Sequence, residues 1–154
     1  MSTPQRVQAP RLVPEAYRAL AGVSAALGKA AIGKRLTDLV WLRISQLNGC
    51  AYCVDLHARD LVAQGEDGQR INSLVTWREV GFYTERERAA LNWAESLTLV
   101  DRTHAPDADY AALAPHFSEQ EIAELTMAIA LMNAWNRIGV GLRLPVAAAP
   151  LKQG

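Results

Sequence analysis

The sequence predicts a single all-α domain, and three observations carry that prediction. Apolar residues recur at three- and four-residue intervals through most of the chain. Two Ser/Thr-x-x-Glu pairs stand directly before such runs, as helix-opening capping boxes do. No stretch alternates apolar and polar residues in the manner of a half-buried strand. With 154 residues the chain is long enough to bury a core without metal or disulfide staples, and it shows no internal repeat or low-complexity tract.

The elements follow in order. Pro4 and Pro10, with Pro14 just after them, suit an extended arm over residues 1–13. The single helical domain then spans 14–154. It opens with "PEAYRALAGVSAAL", where Tyr17, Leu20 and Val23 share helical spacing. After the break "GKAAIGKR", the segment "LTDLVWLRISQLN" gathers Leu36, Leu39, Val40, Leu42 and Leu47 on one broad stripe. Asn48-Gly49 is a stop and turn signal. "CAYCVDLHARDLVAQG" resumes the helical period and ends at Gly65. "INSLVTWREVG" is weaker in pattern. Thr84 with Glu87 opens "ERERAALNWAESLTLV", and Ser118 with Glu121 opens the long "EQEIAELTMAIALMNAWNRIGVGLRL". Residues 101–117, with Pro106 and Pro115, form a connection with room for one short helical turn. The last helix is apolar nearly all round from Met127 to Trp135, which predicts a place at the centre of the core or between subunits. Trp41, Trp77, Trp93 and Trp135 read as core or interface anchors.

Composition narrows the function. Sixteen basic and sixteen acidic residues leave no formal net charge, so no basic field exists to hold nucleic acid or an anionic membrane. The N-terminus lacks the apolar stretch of a signal peptide, and no run approaches the roughly 18 apolar residues of a membrane span. The expectation is a cytoplasmic protein. In that compartment a structural disulfide is uncommon, and a CxxC pair points to catalysis or metal binding.

Both cysteines of the chain lie in "NGCAYCVDLH". At about 100° per residue, Cys53 falls about 60° from Cys50, and His57 returns to within about 20° of Cys50. The three side chains thus share one helix face. Gly49 gives the first turn the freedom a disulfide at i, i+3 requires, and a helix N-terminus favours a thiolate. His57 has the pKa range to accept and return a proton near neutrality. If the helices flanking Asn48-Gly49 pack antiparallel, Asp38 faces His57 directly or through a water and would orient the imidazole. Two Cys and one His supply only three ligands for zinc, and His104 and His116 belong to another segment, where exposure is expected. No metal, nucleotide or flavin motif is evident. Left to themselves, the cysteines could also be two buried small hydrophobes, and Asp38 a solvated helix residue. Tyr52 reads as packing or pocket lining. Arg43, Ser45 and Gln46 fit either buried polar contacts around the site or the surface.

The segment "DLVWLRISQLNGCAYCVDLHARDLVAQG" resembles the core of the AhpD-like alkylhydroperoxidases, within the carboxymuconolactone decarboxylase superfamily. The family pattern is a carboxylate, eleven intervening residues, and CxxCxxxH. Cys50, Cys53 and His57 match it, and Asp38 stands where the family usually has Glu. "WREVGFYTERERAALNWAESLT" and "LMNAWNRIGVGLR" extend the likeness over roughly residues 14–145. The resemblance implies a compact helical domain carrying the motif on an antiparallel helix hairpin, and homo-oligomeric assembly as trimers or hexamers. It implies a cofactor-free peroxidase in which Cys50 and Cys53 reduce a hydroperoxide and become a disulfide. An external dithiol reductant would then restore them, with His57 and Asp38 handling protons. Cys53, one turn from His57, is favoured as attacker, while comparison with thioredoxin would favour Cys50. Aspartate in place of glutamate is one methylene shorter, so a bridging water or a weaker relay is expected. Two other readings remain open. One is the decarboxylase or lactone chemistry of the wider superfamily, which needs no thiol pair at this spacing. The other is a redox sensor or scaffold without significant turnover.

Overall fold

The computed structural model describes residues 4–151 and contains, among them, helices and no strands. Within the arm expected to be extended, Ala9–Leu12 make one helical turn (α1), with Pro10 near its start where the missing N–H costs nothing. The arm returns to the far end of the chain, because Arg6 N–H donates to Leu142 C=O at 2.9 Å. Helix α2, Pro14–Leu27, contains no fully buried residue, and Val23 of its expected stripe is exposed. It lies on the surface of the domain and leans on the last helix.

The centre of the molecule is α3, Lys34–Asn48. Nine of its residues are buried, Thr37, Asp38 and Ser45 among them, because α4, Ala51–Ala63, α6, Glu85–Thr98, and α9, Glu119–Leu142, all pack against it. Leu39, Val40, Leu42 and Ile44 are each exposed by no more than 1%, and a fully buried side chain of this kind contributes about 2 kcal/mol. Helix α3 thus holds the central place, one of the two positions expected of the last helix, the other being between subunits. On α9, Ile129, Leu131 and Met132 are buried while Met127 is 55% exposed.

Both predicted capping boxes form. The Thr84 and Ser118 hydroxyls accept from the N–H groups of Glu87 and Glu121, whose carboxylates accept from the cap N–H groups in return. The weakly patterned segment becomes α5, Gly68–Ser73, followed by a 3₁₀ helix over Leu74–Glu79, with Asp67 as N-cap to Gln69 and Arg70. The connection expected to hold one turn holds two, α7 over Val100–Thr103 and α8 over Asp107–Ala111. Two apolar clusters result. The larger joins α3, α6 and α9 and includes both cysteines, and the smaller sits between α3, α4 and the 3₁₀ helix around Leu61, Leu74 and Trp77. Among the described residues, no helix is long and apolar enough to cross a membrane.

Candidate active site

The hairpin that carries the motif is closed by backbone geometry. Gly49 takes a left-handed conformation, φ 67°, which ends α3 without a Cβ clash. Cys50 N–H then reaches back to Ser45 C=O at 3.0 Å. The two helices run antiparallel from this turn. Arg35 meets Glu66, and Asp38 meets Gln64, pairing residues at similar distances from the turn.

Cys50 is the N-cap of α4 rather than a residue of its first turn, and its sulfur accepts from Cys53 N–H at 3.4 Å. The two cysteines form a disulfide, with Cα atoms 5.3 Å apart. They differ in access. Cys50 is 1% exposed and lies in the core, whereas Cys53 lines a cavity of about 300 Å³. Tyr17, Trp41, Tyr52, Leu56, Met132 and Trp135 supply most of the cavity's apolar wall, and His57 and Asp60 give it one polar side. The surface helix α2 roofs this space. Trp135 Nε1 donates to Ser24 Oγ at 2.9 Å, and the Tyr17 ring meets the Trp135 ring edge-on at 5.1 Å. Trp41, Trp77 and Trp93 are buried in the core, as expected of anchors, while Trp135 is half-buried and serves as cavity wall.

His57 is buried with its ring 5.2 Å from that of Trp41. Its Nδ1 has no hydrogen-bond partner and lies 3.9 Å from Asp38 Oδ1, which is buried and unpartnered as well. That separation is too long for a hydrogen bond. The other oxygen of Asp38 accepts at 2.5 Å from both Lys34 Nζ and Gln64 Nε2. The structure therefore brings Asp38, Cys50, Cys53 and His57 into one neighbourhood, with Asp38 short of direct contact with the imidazole. His104 is exposed and His116 half-buried, both away from it. Ser45 and Asn136 bond each other behind the turn, and Arg43 pairs with Glu95, so neither Ser45 nor Arg43 is a free surface group.

Two residues of the site escaped the sequence reading. Gly139 on α9 faces the disulfide, and a Cβ there would stand 2.7 Å from Cys50 Sγ. The available signal was a glycine inside a long helix, where it costs about 1 kcal/mol relative to alanine and so marks a close approach. Asp60 is the other. It lies one turn beyond His57 on α4, and its Oδ2 is 3.8 Å from His57 Nδ1. The neighbouring His57, reinforced by the Lys34 charge, holds the Asp60 carboxyl below its ordinary pKa against the opposing effect of burial. One ligand atom from each of Asp38, His57 and Asp60 lies within 4.8 Å of the others, a nitrogen-and-oxygen set that divalent metals accept. Lys34 Nζ, 2.5 Å from Asp38 and 4.0 Å from Asp60, already supplies positive charge between the two acids.

Comparison with known proteins agrees with this geometry. Residues 14–96 match the carboxymuconolactone decarboxylase family. The uncharacterized protein YdfG of Bacillus subtilis is 34% identical over 138 residues, covering 90% of this chain and 94% of its own length. A crystal structure from Agrobacterium tumefaciens, of a protein of unknown function put forward as an antioxidant defence protein AhpD, superposes with a TM-score of 0.92 at 38% identity. The match covers 95% of this chain and all of that one. An uncharacterized peroxidase-related protein from Ralstonia eutropha, described as an alkylhydroperoxidase AhpD core, shares the fold with a TM-score of 0.78 at 21% identity, over 88% of this chain and 73% of its own. The hairpin, the cysteine pair and these likenesses converge: the chain belongs to the carboxymuconolactone decarboxylase family, on its AhpD-like branch.

Proposed function

We propose that this protein is a thiol-dependent peroxidase that reduces hydroperoxides through Cys50 and Cys53, with His57 and Asp38 managing the protons. The observation that carries this reading is a Cys50–Cys53 disulfide lying beside an apolar cavity that Cys53 lines together with His57. Cys53 is the attacker in this reading, because it lines the cavity beside His57 and Cys50 does not. In the reduced protein the Cys53 thiol passes its proton to His57. The thiolate attacks the distal peroxide oxygen, the O–O bond breaks, and Cys53 becomes a sulfenic acid. The departing alkoxide takes the proton back from His57 and leaves as an alcohol. Cys50 then displaces hydroxide from the Cys53 sulfur, its own proton completes a water molecule, and the disulfide forms. The two thiols have supplied two electrons and two protons. An external dithiol returns both by exchange, becoming a disulfide itself.

The aromatic and aliphatic lining suits an organic hydroperoxide with an apolar tail. A cytoplasmic setting, where dithiol donors are abundant, suits the regeneration step, and assembly as a homotrimer or hexamer completes the proposal. The test is peroxide consumption with a panel of dithiol donors, with mass-spectrometric mapping of the oxidised protein. The expected result is a Cys50–Cys53 disulfide as product and loss of turnover in both Cys50→Ser and Cys53→Ser. Wild-type rates in both variants would overturn the reading.

A further inference from the structure

The two carboxylates beside His57 differ in their freedom to reach it. Asp38 Oδ1 is 3.9 Å from Nδ1 and Asp60 Oδ2 is 3.8 Å, so neither bonds it in this arrangement. Asp38 is sealed in the core and anchored through Oδ2 to Lys34 and Gln64, both at 2.5 Å. Rotating it toward the imidazole would strip two charge-assisted contacts from a buried group, a costly exchange. Asp60 is 39% exposed, and the ion pair it makes besides His57 is the long one to Lys34, at 4.0 Å. A small side-chain rotation brings it within bonding distance at little cost. Because Asp60 is three residues beyond His57 on the same helix, the two stay neighbours however α3 and α4 shift.

We propose that Asp60, rather than Asp38 alone, is the carboxylate that holds His57 in the Nδ1–H tautomer and stabilises its imidazolium. This assigns Asp60 as a positioning residue for the proton transfer from Cys53, and it rests on the thiol-peroxidase reading. With a carboxylate on Nδ1–H, the lone pair sits on Nε2, the nitrogen left to take the thiol proton. The groups that set the charge on the imidazole are Lys34 and Asp38 from α3 and Cys53 and Asp60 from α4, with the Tyr17 and Tyr52 phenols on the cavity wall. Lys34 is 54% exposed, so it offsets the negative charge between the acids without burying a net positive charge against His57. Asp38 becomes the inner support that holds Lys34 and Gln64, and Asp60 the adjustable partner on the cavity side.

The experiment uses the reduced full-length protein and its Asp60→Asn and Asp60→Glu variants. The His57 ring nitrogens are titrated by NMR, with assignments from a His57→Gln control, and peroxidase kcat and KM are measured alongside. Loss of the carboxylate is expected to lower the His57 midpoint by at least about one pH unit, a tenfold loss of preference for the imidazolium. The expected kinetic result is a fall of about tenfold in kcat with KM little changed, and Asp60→Glu recovering both signals. An unchanged His57 midpoint in Asp60→Asn, in a protein that still loses turnover on Cys53→Ser, would overturn the proposal while leaving the peroxidase reading intact. Should the cysteine variants keep wild-type turnover, the peroxidase reading fails, and the His57 midpoint still decides whether Asp60 positions the ring.

Discussion

Gly139 is the residue whose side chain matters by its absence. A methyl group there would fall 2.7 Å from Cys50 Sγ and 3.5 Å from Cys53 Sγ. Helix propensity alone favours Gly139→Ala by about 1 kcal/mol, but pressing a methyl group against a buried sulfur costs about 1–3 kcal/mol. Cys50 is walled into the core and has little room to yield, so overpacking wins. Gly139→Ala is expected to lower the thermal midpoint of the oxidised protein in calorimetry, and an unchanged or raised midpoint would contradict the close contact. Asp38 poses the opposite problem, a side chain that stops 3.9 Å short. Asp38→Glu adds one methylene to the carboxylate's reach. If the gap limits proton transfer, the variant raises kcat by up to about tenfold, provided circular dichroism shows the fold intact. An equal or lower rate in a folded variant would mean that Asp38 acts only as the buried anchor for Lys34.

At the scale of elements, the hairpin α3–α4 is clamped at its open end by ion pairs that the apolar pattern gave no reason to expect. The Glu66 side chain is buried and accepts from Arg35 and Arg70, and Arg70 continues to Glu87 at the start of α6. Burial pushes the Glu66 carboxyl up, but hydrogen bonds from Arg35 and Arg70 outweigh it and hold the carboxyl below its ordinary range. A depressed folded-state pKa adds stability above the unfolded value, and that stability is lost as pH falls through the folded one. The urea midpoint is therefore expected to drop between pH 7 and about pH 3 by more in the wild type than in Glu66→Gln. At pH 7, Glu66→Gln should cost about 2 kcal/mol, less than the roughly 3–5 of a fully buried pair because Arg35 reaches water. Equal pH responses in the two proteins would remove Glu66 from the account. A second set behind the site joins Arg43, Trp77 and Arg78 to Glu95, and locks α3 to α6.

For the whole molecule, the open question is what covers α9. Val100, Met127 and Val140 are exposed, and Leu97, Ile129, Ala130 and Ala134 line a groove between α6 and α9. Exposed apolar side chains beside such a groove suit an association site. The trimeric or hexameric assembly proposed above would use it. Sedimentation equilibrium is expected to give a mass three or six times that of the chain, and Ala130→Glu, which puts a charge into the groove, should shift it toward monomer. A monomeric wild type would end the oligomer proposal without touching the disulfide chemistry.

The sequence by itself determined the helical class, the two capping boxes, the stop at Gly49 and the one-turn spacing of Cys53 and His57 on α4. Each of these is local: a period, a cap, a left-handed glycine, a spacing within two turns of helix. Tertiary packing decided the rest. It put α3 at the centre and left α2 on the surface as a roof, because burial depends on which faces meet and not on how apolar one helix is. It brought Gly139, eighty-nine positions after Cys50, against the disulfide. It also set Asp38 of α3 just beyond reach of His57, whose neighbour Asp60 is held in place by the spacing of α4 itself. A difference of about 1 Å separates a relay from a near neighbour, and spacing along a chain does not resolve distances that small.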